Sequence, residues 1–171
     1  MIGARGRRTL RFLILTGLCL LLLVVESVAE GLGTSEMAFA PMFMAFAARE
    51  LEPRVGLSVA LAGGLSADAL SGEPSGIVFG SLLYGYLILR STPGRRTQAS
   101  PASVVLLSGW STILVSVVRN LMAALAGAEI PESAAVFSAT ILAMATAWPV
   151  FAAFSYLDRR FRPRDELRAL A

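Results

Sequence analysis

Two charged residues stand inside apolar runs, and their types set what chemistry the chain could do. Asp68 lies in "GLSADALSGEPSG", Gly64 to Gly76, and Arg119 follows a polar stripe of Ser108, Thr112 and Ser116, with Asn120 beside it. A carboxylate, a guanidinium and hydroxyls in apolar surroundings can relay protons, bind a charged solute, or pair with one another. A charge near a bilayer centre costs about 2.5–3.5 kcal/mol on insertion scales, so both are expected to face the inside of a helix bundle. Counted from the midpoints of their runs, each is displaced by about four or five residues toward the same side, roughly 6–8 Å at 1.5 Å per residue. Depth therefore lets Asp68 and Arg119 meet, and an ion pair between them is the expectation; Glu26, near the end of the first run, is a competing partner for Arg119. Such a lone buried pair is more often a structural element than a catalytic one.

Other chemistries are excluded by what is missing. The chain has no histidine and a single cysteine, Cys19, set among leucines. Disulfides, zinc sites and Cys/His or Ser/His catalysis therefore fall away, and no nucleophile–base pair is visible. No catalytic, cofactor-binding or metal-binding residue is expected.

These residues must be positioned by membrane helices. Of 171 residues 56% are hydrophobic and only 16% charged, against about a quarter charged in a soluble domain. Six apolar runs fill one domain: roughly Leu10 to Val28, Met37 to Ala48, Val55 to Ser71, Gly76 to Leu89, Ala102 to Gly127 and Ser133 to Leu157. The fold class expected is an all-α membrane protein, a bundle of six transmembrane helices. A span takes about 20 residues, so the second and fourth runs are short and need flanking residues or a thinned bilayer to cross. Pro41, within the second run, is expected to kink it.

Arginine placement sets the orientation. All fifteen basic residues are arginine. With six crossings and the N-terminus inside, the cytoplasmic segments hold Arg5, Arg7, Arg8, Arg11, Arg49, Arg54, Arg90, Arg95, Arg96, Arg159, Arg160, Arg162, Arg164 and Arg168, while the outer loops hold only acids: Glu30, Glu36, Glu73, Glu129 and Glu132. This follows the positive-inside rule with both termini cytoplasmic. The net charge of +3 thus speaks for anionic lipid headgroups at the arginine-rich ends, not for nucleic acid. An arginine-rich start, a leucine-rich core and Ser27-Val28-Ala29 also resemble a cleaved signal peptide. The length of the run and Glu26 before the site favour an uncleaved helix.

Small residues mark close packing. Gly56, Ala60, Gly64, Asp68 and Gly72 recur every four residues, and Gly76 and Gly80 repeat the spacing before Tyr84. Stripes of this kind let membrane helices approach closely. A tight hairpin of the third and fourth runs is expected, turning at Gly72 and Gly76 and pinned by Asp68. The Met- and Phe-rich "MAFAPMFMAFAA" reads first as packing or lipid-facing surface and second as a docking face for a partner helix.

The stretch "VGLSVALAGGLSADALSGEPSGIVFGSLLYGYLILR" resembles the signature region of the MreD family of bacterial rod shape-determining membrane proteins. The pattern is a span ending in G-L-x-x-D-x-L-S-G-x-P-x-G, then a helix ending in Y-L; Asp68, Leu70, Ser71, Gly72, Pro74, Gly76, Tyr86 and Leu87 fill those positions, and Ser75 departs from the family's usual leucine. The resemblance implies a non-enzymatic component of the inner membrane's cell-elongation machinery, linking cytoplasmic MreB filaments to an MreC-like bitopic protein and peptidoglycan synthases. It also implies the fold shared with the substrate-binding subunits of vitamin-type transporters. A small-solute transport subunit is therefore the alternative function, disfavoured by "LILTGLCLLLLVV" where those subunits carry alanine-rich stripes on the first helix.

Overall fold

The computed structural model describes residues 4–31, 38–92, 100–128, 130 and 133–161. Among them it holds six α-helices and no strand: α1 Ala4–Gly31, α2 Phe39–Glu50, α3 Pro53–Ser71, α4 Ile77–Ser91, α5 Pro101–Ala126 and α6 Ser133–Phe161. Arg95, Arg96, Glu36, Glu129, Glu132 and the tail from Arg162 lie outside the described residues.

Local chemistry fixes the helix ends. Pro53 and Pro101 open α3 and α5, where a preset φ helps and the missing N–H is not needed. The Ser100 side chain caps α5 by accepting from the Ser103 amide, as favoured N-cap residues do. Gly72 and Gly127 stop α3 and α5 in the left-handed region, both at φ 68°, where a Cβ is costly.

α2 is the centre of the bundle. It touches each of the other five helices, and every residue from Ala40 to Ala48 is buried. A helix apolar all round belongs inside a larger body. Phe43 and Phe46 carry this packing across to α6, with Phe43–Phe154, Phe46–Phe154 and Phe46–Phe151 ring centroids at 5.0, 5.1 and 5.5 Å. The second apolar run is thus packing, as the first of its expected readings has it, and not lipid-facing surface or a docking face. Pro41, expected to kink the run from within, falls instead in the first turn of α2, where its nitrogen has no intrahelical acceptor to lose.

The surrounding helices bury an apolar core with a few hydroxyls from α4 and α5 and turn further apolar side chains outward. Ser81, Ser108, Ser111, Thr112 and Ser116 are buried, while Leu21, Leu65, Leu87, Leu106, Leu121 and Phe137 are exposed. Two helices, α5 and α6, are long and apolar enough to cross a membrane; Phe12–Val28 and Ile77–Ser91 are shorter apolar stretches.

Candidate functional site

Five ionic side chains, from α1, the α3–α4 hairpin and α5, are committed to helix ends or to one another. A helix leaves its first four N–H groups without intrahelical partners, and its positive dipole end favours an anion. Asp68 meets both demands for α4. Its Oδ2 accepts from the Gly76 amide at 2.8 Å, and its Oδ1 accepts from Val78 and Phe79 at 3.1 Å each. The fourth amide, Ile77, donates to the Pro74 carbonyl at 3.3 Å. Every orphan donor at this end is satisfied.

The turn itself is held from within. The Ser71 hydroxyl donates to the Asp68 carbonyl at 3.0 Å and accepts from the Glu73 amide at 3.3 Å. Gly72 and Gly76 sit at φ 68° and 96°, a conformation that side-chain-bearing residues adopt at a cost. Asp68, Ser71, Gly72, Pro74 and Gly76 thus form one structural unit.

Arg119 is not the partner of Asp68, which corrects the expected ion pair. Its guanidinium bonds Glu73, with Nε at 2.9 Å from Oε1 and one terminal nitrogen on the same oxygen. The physical reason is competition: three backbone amides engage the carboxylate of Asp68, and Glu73 in the turn is the anion that Arg119 meets. The pair ties α5 to the α3–α4 turn, and Glu73 Oε2, together with Oδ1 of Asn120, the residue after Arg119, is buried without a hydrogen-bond partner.

Glu26 does for α2 what Asp68 does for α4. Only 3% exposed, its Oε1 accepts from the Ala38 amide and from Phe39 at 2.7 Å, and its Oε2 accepts from Ala40 at 3.2 Å. The next residue is Pro41, which has no N–H. At the opposite end of α2, Arg90 donates through one nitrogen to the carbonyls of Ala48 and Leu51, at 2.8 Å each. An anion at the N-terminus and a cation at the C-terminus both complement the macrodipole.

The glycines divide by neighbour. A Cβ on Gly64 would lie 3.1 Å from the Phe79 ring, so this position does bring α3 against α4; a Cβ on Gly80 would meet the Met122 side chain of α5 at 3.0 Å instead. Gly80 therefore serves the α4–α5 contact, not the hairpin. Gly56 is the tightest of the α3 stripe, with the Ala47 carbonyl oxygen 2.8 Å and the Tyr86 hydroxyl 2.9 Å from its would-be Cβ. Tyr84 is exposed, and Cys19 is buried against Gly63.

Sequence reasoning missed Arg90 and the Glu73–Arg119 pair and misassigned Glu26. The signal for Arg90 is its position directly after an apolar run, and for Glu26 a carboxylate just inside one. No group of three potential metal ligands comes together among the described residues. No family model, characterised protein or solved structure matches this chain.

Proposed function

We propose that this chain is a six-span protein of the bacterial inner membrane, with both termini cytoplasmic, and a non-enzymatic part of the machinery that maintains rod shape. Membrane crossing by all six helices is supported by the outward apolar side chains on α1, α3, α4, α5 and α6 around the buried α2. α2 crosses only as a guest of the other five.

The single observation that carries the functional reading is the use made of the MreD-like signature. Asp68, Ser71, Gly72 and Gly76 build the α3–α4 turn, so the resemblance rests on residues that shape a rigid hairpin and not on a reactive group. A rigid bundle presenting helix faces is what a scaffold between MreB filaments, an MreC-like bitopic protein and peptidoglycan synthases requires.

The test is genetic and biochemical together. Deletion from a rod-shaped host is expected to give rounded cells, and the tagged chain is expected to bring down a bitopic MreC-like protein from native membranes. Normal rods with a defect in uptake of a small solute would overturn this reading in favour of the transport subunit.

A further inference from the structure

The last helix, α6, has two faces. Ala139, Ala143, Ala147, Phe151 and Phe154 are buried in the bundle, while Ser138, Ile141, Ala145, Trp148, Pro149 and Ala152 form an exposed stripe on the opposite side. Within that stripe a small residue returns every seven positions, at Ser138, Ala145 and Ala152. Such spacing keeps a seam in line along a left-handed helix pair, and small residues let membrane helices approach closely. Spacing alone would suit lipid as well; two polar groups on the same face do not.

The first is a donor. The apolar run from Ser133 to Leu157 has its midpoint at Ala145, so Trp148 lies only about 4.5 Å from the centre at 1.5 Å per residue. Tryptophan collects at the membrane interfaces, roughly 15 Å from the centre of a core about 30 Å thick. Trp148 is 47% exposed, and its indole N–H meets no acceptor among the described residues. Hydrocarbon offers none.

The second is an acceptor. Pro149 stands inside α6 and has no N–H, so the Ala145 carbonyl, four residues back, loses its helical donor. The Thr146 hydroxyl does not replace it, since it donates to the Leu142 carbonyl at 2.7 Å. An unmet carbonyl in hydrocarbon is costly.

We propose that a second copy of this chain covers the face, its α6 parallel to the first, with the Trp148 indole of each copy donating to the Ala145 carbonyl of the other. A twofold interface joins the same patch from both sides, so the patch must complement itself. A donor and an acceptor three residues apart on one stripe meet that demand, and two copies inserted in one direction are parallel. The proposal rests on the membrane-spanning part of the reading above, for α6, and not on the role in rod shape.

Cross-linking and self-association test it. In the Cys19→Ala background, Ser138→Cys, Ala145→Cys and Ala152→Cys chains in native membranes are oxidised with copper phenanthroline. A disulfide-linked product of twice the chain's mass is expected at all three, and not at Val117→Cys on the exposed face of α5. Energy transfer between labelled chains in dioleoylphosphatidylcholine vesicles then reads the two bonds. Trp148→Phe removes the donor, and Pro149→Ala returns an amide to the Ala145 carbonyl. Each is expected to weaken association by roughly three- to tenfold, as loss of a reciprocal pair of interhelical bonds does, and the double variant by no more than either alone. No product at any of the three positions in alkali-resistant membranes would overturn the proposal. So would a product of another mass, which places a different protein on the face, or unchanged association in both variants. Release of the chain by alkali would instead refute the membrane-spanning reading, and the proposal with it.

Discussion

Arg119 on α5 closes on Glu73 in the turn between α3 and α4, while the nearby carboxylate of Asp68 is taken up by the amides of Gly76, Val78 and Phe79. Two acids five residues apart thus do different work: one caps a helix, the other fastens the capped turn to the neighbouring helix.

Double-mutant cycles separate the two roles. Glu73→Gln and Arg119→Gln are expected to couple by about 1 kcal/mol or more, as groups in direct contact do. Asp68→Asn with Arg119→Gln is expected to be additive within about 0.5 kcal/mol. Asp68→Ala alone should cost about 1–2 kcal/mol as a lost N-cap. Thermal unfolding in detergent reads all of these, and a strong Asp68–Arg119 coupling would restore the ion pair that the geometry replaces.

The end clamps of α2 give a graded series. Glu26→Gln keeps the oxygen position that serves Ala38 and Phe39 but removes the charge, whereas Glu26→Ala leaves three amides, two buried and one part-buried, without that acceptor. The expected order of stability is wild type, then Gln, then Ala, the last losing about 3 kcal/mol or more since each unmet buried group costs about 1–3 kcal/mol. Arg90→Ala should lose about 1.5–3 kcal/mol through the two carbonyls. Unchanged melting temperatures in these variants would show that α2 needs neither clamp.

What was legible in the sequence follows from what each feature depends on. Apolar runs placed the helical segments well because burial and hydropathy are properties of the chain: Val55 to Ser71 against Pro53–Ser71, and Ser133 to Leu157 against Ser133–Phe161. The turn at Gly72 and Gly76 was equally readable, since left-handed backbone selects glycine locally. Partners of Asp68, Glu26 and Arg90 were not, because each bonds backbone groups, and an N–H or C=O has no letter of its own. The central place of α2 was open for a related reason: a run apolar on every side says that it is covered, not by what.

Glycine substitutions rank the close contacts. Gly56→Ala should be the most damaging, because its Cβ would meet a backbone carbonyl at 2.8 Å; Gly80→Ala should be milder, because only the flexible end of Met122 must move, and Gly17→Ala should be neutral or slightly stabilising, with nothing within 4 Å. Overpacking a core typically costs about 1–3 kcal/mol. Folded yield and thermal stability measured side by side check the order, and equal losses at Gly56 and Gly80 would contradict it.

Every functional statement depends on the hairpin crossing the membrane, so the decisive measurement is cysteine accessibility at its two ends. In the Cys19→Ala background, Ser75→Cys at the α3–α4 turn and Ser91→Cys at the end of α4 are both exposed positions. With an impermeant maleimide on intact cells, the six-span account predicts labelling of Ser75→Cys at once and of Ser91→Cys only after permeabilisation. Labelling of both positions from outside, or of neither until the membrane is opened, would contradict it.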